Sequence, residues 1–241
     1  MFTAEAPLKR ILVIENEESV ATEMCTALKH HGHQVDVSVD GGAGLIRARE
    51  GDYDLLILNL TLPGVSGFEI LETLRSEGSR LRILILSAKS DESGVLRGLE
   101  LGADDYISKA FSPRELIARV HAQFRREQTD SKLSSSLKLP AGISINLDRL
   151  EVYRDEAVIH LTPREGKILR YLIQHRNKIV TRGDLLVDVW NYANGKIETR
   201  TVDIHIVGLR RKIEPDPANP TLIQTVRGLG YRWYDSPKRS H

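Results

Sequence analysis

A chain of 241 residues, 41% hydrophobic and 28% charged, is long enough for two domains and has a globular composition, with no apolar run of bilayer-spanning length. Its single cysteine, Cys25, excludes an internal disulfide and a thiolate metal centre, and MFTAEAPLKR at the start lacks the apolar core of a secretory leader, so a cytoplasmic protein without a membrane partner is expected. The net charge of +1 hides an asymmetry: residues 1–127 carry 15 Lys and Arg against 20 Asp and Glu, the rest 19 against 13, which points to a polyanion met by the second half alone.

In the first half ILVI (11–14), LLIL (55–58), ILIL (83–86) and the shorter Tyr106-Ile107 are apolar at successive positions, as strands covered on both faces are. Between them Val20, Met24 and Leu28 recur at helical spacing and stop at Gly32, and Leu116, Val120 and Phe124 mark a helix that begins after Ser112-Pro113. This β-α alternation predicts an α/β domain over residues 1–127, a doubly wound five-stranded parallel sheet of flavodoxin-like form. Asn59 closes one strand at the carboxyl edge, where such folds place their chemistry, and an amide there is unusual.

The polar, serine-rich QTDSKLSSSLKLP predicts a linker over 128–140, followed by a second domain over 141–241. There ISINLDRLEVYRDEAVIHLT alternates as a small antiparallel sheet would, and TPREGKILRYLIQH opens a helix with a capping box, Thr162 and Glu165 around Pro163. RGDLLVDVW and TRTVDIHIVGLRRKIE read as two more helices, and LIQTVRGLGYRWY as a hairpin around Gly228-Leu229-Gly230. In the third helix Val202, Ile206, Leu209 and Ile213 form the core stripe. The opposite face holds Arg200, Ile204, Val207, Gly208 and Arg211, with Thr201, His205, Arg210 and Lys212 towards its flanks.

GADDYISKAF in the first half, with TVDIHIVGLRRKIE and TVRGLGYRW in the second, resembles the response regulators of the OmpR/PhoB type, a receiver followed by a winged helix-turn-helix domain. The resemblance implies a non-enzymatic transcriptional regulator whose receiver binds Mg²⁺ through acids at the strand ends, accepts a phosphoryl group on an aspartate, and reads it with a hydroxyl and a lysine. Ser87 and Lys109 take the last two roles and Tyr106 that of the switch aromatic, but Asn59 stands at the phosphoacceptor position. Glu15-Asn16 replaces the acidic pair, and Ala110 the proline after the lysine. A carboxamide has no anionic oxygen to attack phosphorus, so Asn59 is expected to be inert, Mg²⁺ to be lost with Glu15 as its one residual ligand, and Glu15 and Lys109 to pair directly. No cofactor is expected. The alternative is a phosphorylation-controlled regulator, either an engineered Asp-to-Asn form or one using another acceptor such as Glu15 or Ser87; a phosphatase or dehalogenase would need the missing carboxylate.

The resemblance also implies a homodimer through the fourth helix, fifth strand and fifth helix, with Asp104 and Asp105 facing Arg119, and Glu100 facing His121, across the interface; that last pair would weaken as histidine loses its proton. Val95 stands where a basic partner for Glu115 is usual. Double-stranded DNA would be read by the third helix of the second domain, with few donors because Val207 and Gly208 replace basic residues, and its minor groove entered by Arg227. Thr225, Arg182 and Trp190 match backbone-contacting or flanking positions, Trp190 reading better as core. NYANGKIETR corresponds to a loop that meets RNA polymerase in some relatives, and a sensor kinase partner stays open.

Overall fold

The computed structural model describes residues 8–88, 91–124, 136–190, 192 and 200–234. The chain divides into two units, residues 1–125 and 126–241.

The first unit alternates strand and helix: β1 Arg10–Ile14, α1 Glu18–His30, β2 Gln34–Ser38, α2 Gly41–Glu50, β3 Leu55–Asn59, α3 Gly67–Ser76, β4 Arg82–Ser87, α4 Glu92–Glu100, β5 Asp105–Ser108 and α5 Pro113–Phe124. All strands are parallel, in the order β2-β1-β3-β4-β5. The central strands are buried almost throughout because helices cover both faces. Ile11, Val13, Leu55, Ile57, Leu84 and Leu86 meet Met24, Leu28, Leu116 and Val120 of α1 and α5 on one side. Edge strand β2, QVDVS, has no continuous apolar run because only alternate residues turn inward.

Parallel strands end together, so Glu15, Asn59, Ser87 and Lys109 follow or close β1, β3, β4 and β5 along one edge. α3 starts hard against it under a Ser66–Glu69 capping box. A side chain at its first residue, Gly67, would put Cβ 2.1 Å from the Asn59 carbonyl, so only glycine admits this approach.

The second unit opens with an antiparallel meander of β6 Ser136–Lys138, β7 Ser144–Asn146, β8 Glu151–Arg154 and β9 Ala157–His160. The residues 136–138 read as the end of a linker are therefore a strand: Leu137 packs on this unit's core and draws the segment into register with β7. Of the rest of that linker, 128–135 lies outside the described residues, while Leu139 and Pro140 lead into a short turn, Pro140–Gly142. Then come α6 Pro163–Gln174, with the Thr162–Glu165 capping box, β10 Val180–Thr181, α7 Arg182–Asp188, α8 Arg200–Ile213, β11 Ile223–Val226 and β12 Gly230–Trp233, in a second sheet ordered β10-β12-β11. Trp190, Trp233, Leu169, Leu172, Ile206 and Leu209 lie in one core between α6, α8 and this hairpin. The hairpin turns at Gly228, whose φ of +75° favours glycine. Together the units are an α/β receiver-type domain and a C-terminal winged helix.

Candidate functional sites

The edge of the first sheet forms a polar pocket. Asn59 is buried, and its carboxamide is fully engaged: Oδ1 accepts from the Thr61 N–H at 3.0 Å, while Nδ2 lies 3.0 Å from Glu15 Oε1 and 2.9 Å from the Thr61 carbonyl, with the Asn16 carboxamide 2.9 Å away. Its two amide hydrogens thus serve the oxygens of Glu15 and Thr61. Glu15 is fully buried; Oε1 also accepts from the Glu17 N–H at 2.9 Å and from Lys109 Nζ at 3.3 Å, while Oε2 has no hydrogen bond and lies 3.2 Å from the same ammonium. The ammonium is held a second time by Glu17 at the rim. Ser87 is buried, and its carbonyl accepts from Lys109 N–H at 2.7 Å. Tyr106 is half-buried beneath the Arg119 guanidinium, 5.5 Å from the ring centroid.

The charges expected across a dimer interface are engaged within the protomer. Asp104 is buried, accepts from the Ile83 N–H at 2.8 Å and pairs with Arg75 at 3.1 Å; Asp105 is buried and faces Arg119 at 3.6 Å. Arg119 also holds Glu115 one turn earlier at 2.9 Å, so Glu115 has a partner despite Val95. Asp104, Asp105 and Arg119 are thus buried and paired within the chain. His121 does not face α4: its ring lies 6.2 Å from that of His31 and 5.9 Å from that of His33, on the side of α5 that packs against the end of α1. Of the five, Glu100 is exposed. The pair of Glu100 with His121, and the pH dependence drawn from it, are thereby set aside.

Burial gives this histidine group unusual chemistry. His33 is 4% exposed, and neither ring nitrogen has a hydrogen-bond partner. Desolvation pushes its pKa below 6.5, and neighbouring His121 and His31 add to the effect; burial lowers His121 likewise.

In the second unit the buried side of α8 is wider than the Val202, Ile206, Leu209, Ile213 stripe. Thr201 and His205 are also buried, His205 Nδ1 lying 2.8 Å from the Thr201 carbonyl and its ring packing edge-on to Trp190 at 5.2 Å. Both precede Leu209 at four-residue intervals and turn inward with it, which corrects their placement on the exposed flanks. Several cations are likewise drawn inward. Arg210 donates to the Ile223 carbonyl at 2.7 Å and to Thr225 Oγ1 at 2.8 Å, Lys212 binds Glu165 at 2.6 Å, and Arg182 binds Asp203 at 2.7 Å and Tyr231 Oη at 3.2 Å. Arg200, Val207 and Arg211 are exposed, with Ile204 and Gly208 half-buried; Thr225 and Arg227 are exposed on the hairpin. Trp190 is fully buried, with the Arg164 guanidinium 4.7 Å from its ring centroid, and is a core residue. Of NYANGKIETR (191–200), matched to a polymerase contact in some relatives, Asn191 and residues 193–199 lie outside the described residues.

Sequence reasoning missed the Thr61 backbone, which only the turn after β3 delivers, and the Asp203–Tyr231 pair that holds Arg182. It also missed the proximity of His31, His33 and His121, which depends on the packing of α5 against α1.

Among known proteins, residues 11–121 match the family of response regulator receiver domains, and residues 155–233 match the C-terminal domain of transcriptional regulatory proteins. The chain is 40% identical to the alkaline phosphatase synthesis transcriptional regulatory protein PhoP of Bacillus subtilis (strain 168), over 95% of this chain and 98% of that one. It is also 40% identical to the DNA-binding response regulator MtrA of Mycobacterium tuberculosis (strain ATCC 25618 / H37Rv), over 93% and 96%. Two solved mutant forms of RitR superpose with TM-scores of 0.76 and 0.78 at 32% identity, over 95% of this chain and the whole of theirs.

Proposed function

Because the chain belongs to the response regulators of the OmpR/PhoB type, we propose that it regulates transcription by binding double-stranded DNA through its winged helix, and that its receiver acts without phosphorylation at Asn59. The carrying observation is the engaged carboxamide: Asn59 Nδ2 sits where Glu15 and Thr61 present oxygen. An amide nitrogen is no nucleophile, and the amide oxygen, bound to the Thr61 N–H, carries no charge with which to attack phosphorus.

The donor set does not fit Mg²⁺, which prefers anionic oxygens in octahedral order. Here one carboxylate, Glu15, faces the convergence point, and Asn59 already fills it with hydrogen-bond donors. Lys109, which a phosphoryl group would have to attract, is held by Glu15 and Glu17. Ser87 and Tyr106 then keep packing roles, and the receiver stays in one state that requires neither a sensor kinase nor a cofactor.

The proposed domains are the receiver over 1–127 and the DNA-binding domain, expected over 141–241 and extended by β6 back to Ser136, working in the cytoplasm as a dimer on paired half-sites. Arg200 and Arg211 meet bases or phosphates, and Arg227 the minor groove. Arg182 and Thr225 are fixed by Asp203 and Arg210, and Arg182 serves by aligning α7 with α8. The segment NYANGKIETR, 191–200, is where RNA polymerase would be met. Selection of bound duplexes from a random pool with purified, untreated protein tests this reading. Enrichment of a repeated half-site supports it, and no enrichment, or enrichment only after acetyl phosphate treatment, overturns it.

A further inference from the structure

We infer that the chain reads thymine through Val207, recognising the C5-methyl group of the base; the inference rests on the reading of α8 as the helix that enters the major groove. Arg200, Ile204, Val207 and Arg211 succeed one another at intervals of four, three and four residues, and so line one side of α8 opposite the buried Val202, Ile206, Leu209 and Ile213. The line carries a guanidinium at each end, about 16 Å apart along the axis, and only aliphatic carbon between.

The surrounding cations do not fill that gap. Arg210 is bound to the Ile223 carbonyl and Thr225, Lys212 to Glu165, and Arg182 to Asp203. Gly208 supplies no side chain, and a Cβ there would lie 3.2 Å from Glu165 Oε1, so a longer residue would run into the capping box of α6. Val207 itself is 42% exposed. In the major groove each base edge presents hydrogen-bonding groups except at one place, the thymine methyl, and that is the feature an aliphatic side chain can recognise. The middle of each half-site therefore contains thymine on the strand facing Val207, with the arginines reaching guanine or phosphate on either side.

The test uses the full chain and the duplex enriched from the random pool. Each thymine is replaced in turn by uracil, which removes only the methyl group, and cytosine is replaced by 5-methylcytosine at positions where thymine is preferred. At one or two central positions uracil weakens binding about threefold to tenfold. In Val207→Ala that sensitivity disappears. Tight binding indifferent to every uracil replacement, or an equal methyl sensitivity in Val207→Ala, overturns this inference alone. Failure to bind any duplex overturns the DNA-binding reading along with it.

Discussion

The side-chain nitrogen of Asn59 lies 3.0 Å from a carboxylate oxygen of Glu15, so the two residues are joined by a hydrogen bond in a place where two carboxylates would repel. With Asn59→Asp, an anionic oxygen stands at that distance in a buried site, and one of the two acids must take up a proton or attract a cation. The variant is expected to lose about 1–3 kcal/mol of stability in urea unfolding near neutral pH without divalent metal. Adding Mg²⁺ should return part of the loss, with no such effect on the chain carrying Asn59.

Lys109 offers the clearest test of the pocket's charge balance. Its ammonium donates to Glu15 Oε1 at 3.3 Å and lies 3.2 Å from Oε2, which has no hydrogen bond of its own. Lys109→Ala leaves a buried carboxylate uncompensated and is expected to cost about 2–4 kcal/mol. Adding Glu15→Gln should recover part of that, because a glutamine oxygen still accepts from Asn59 and Glu17. A double-mutant cycle that finds the two changes additive contradicts the pairing.

The histidines between α1 and α5 predict a pH dependence. His33 has its folded-state pKa pushed below 6.5 by burial and by the charges of His121, His31 and Lys9, with Asp54 opposing. The neutral ring is favoured in the folded state, so its stabilisation is full above pH 6.5 and is lost as pH falls through the folded-state value. Chemical unfolding at pH 7.5 and pH 5 should show lower stability in acid, with a smaller difference in His33→Phe. An undiminished difference assigns the effect elsewhere.

Arg119 is expected to support the fold of its own protomer. It joins Asp105 at 3.6 Å and Glu115 at 2.9 Å with a nearly buried side chain. Arg119→Ala should lower unfolding stability by about 1–3 kcal/mol without changing the sedimentation coefficient. A change of oligomeric state at unchanged stability would restore it to an intermolecular role.

The receiver sheet was legible where strands are covered on both faces, because ILVI, LLIL and ILIL leave no polar alternation. β2 was not, since an edge strand buries only every second residue. The Glu15–Lys109 contact followed from charge once Asn59 had removed the competing acid. The interior destinations of Asp104, Asp105 and Arg119 did not follow, because a charged residue's partner is set by tertiary packing. Thr201 and His205 misled for a related reason: helical periodicity gives the direction of the core but not its width. Trp190 covers His205 from the side.

The most direct measurement of the central claim is incubation of the purified chain with labelled acetyl phosphate and Mg²⁺, followed by DNA affinity on the selected duplex. The predicted result is no hydroxylamine-sensitive label on the polypeptide and the same affinity before and after treatment. Stoichiometric acyl phosphate accompanied by tighter DNA binding would contradict it.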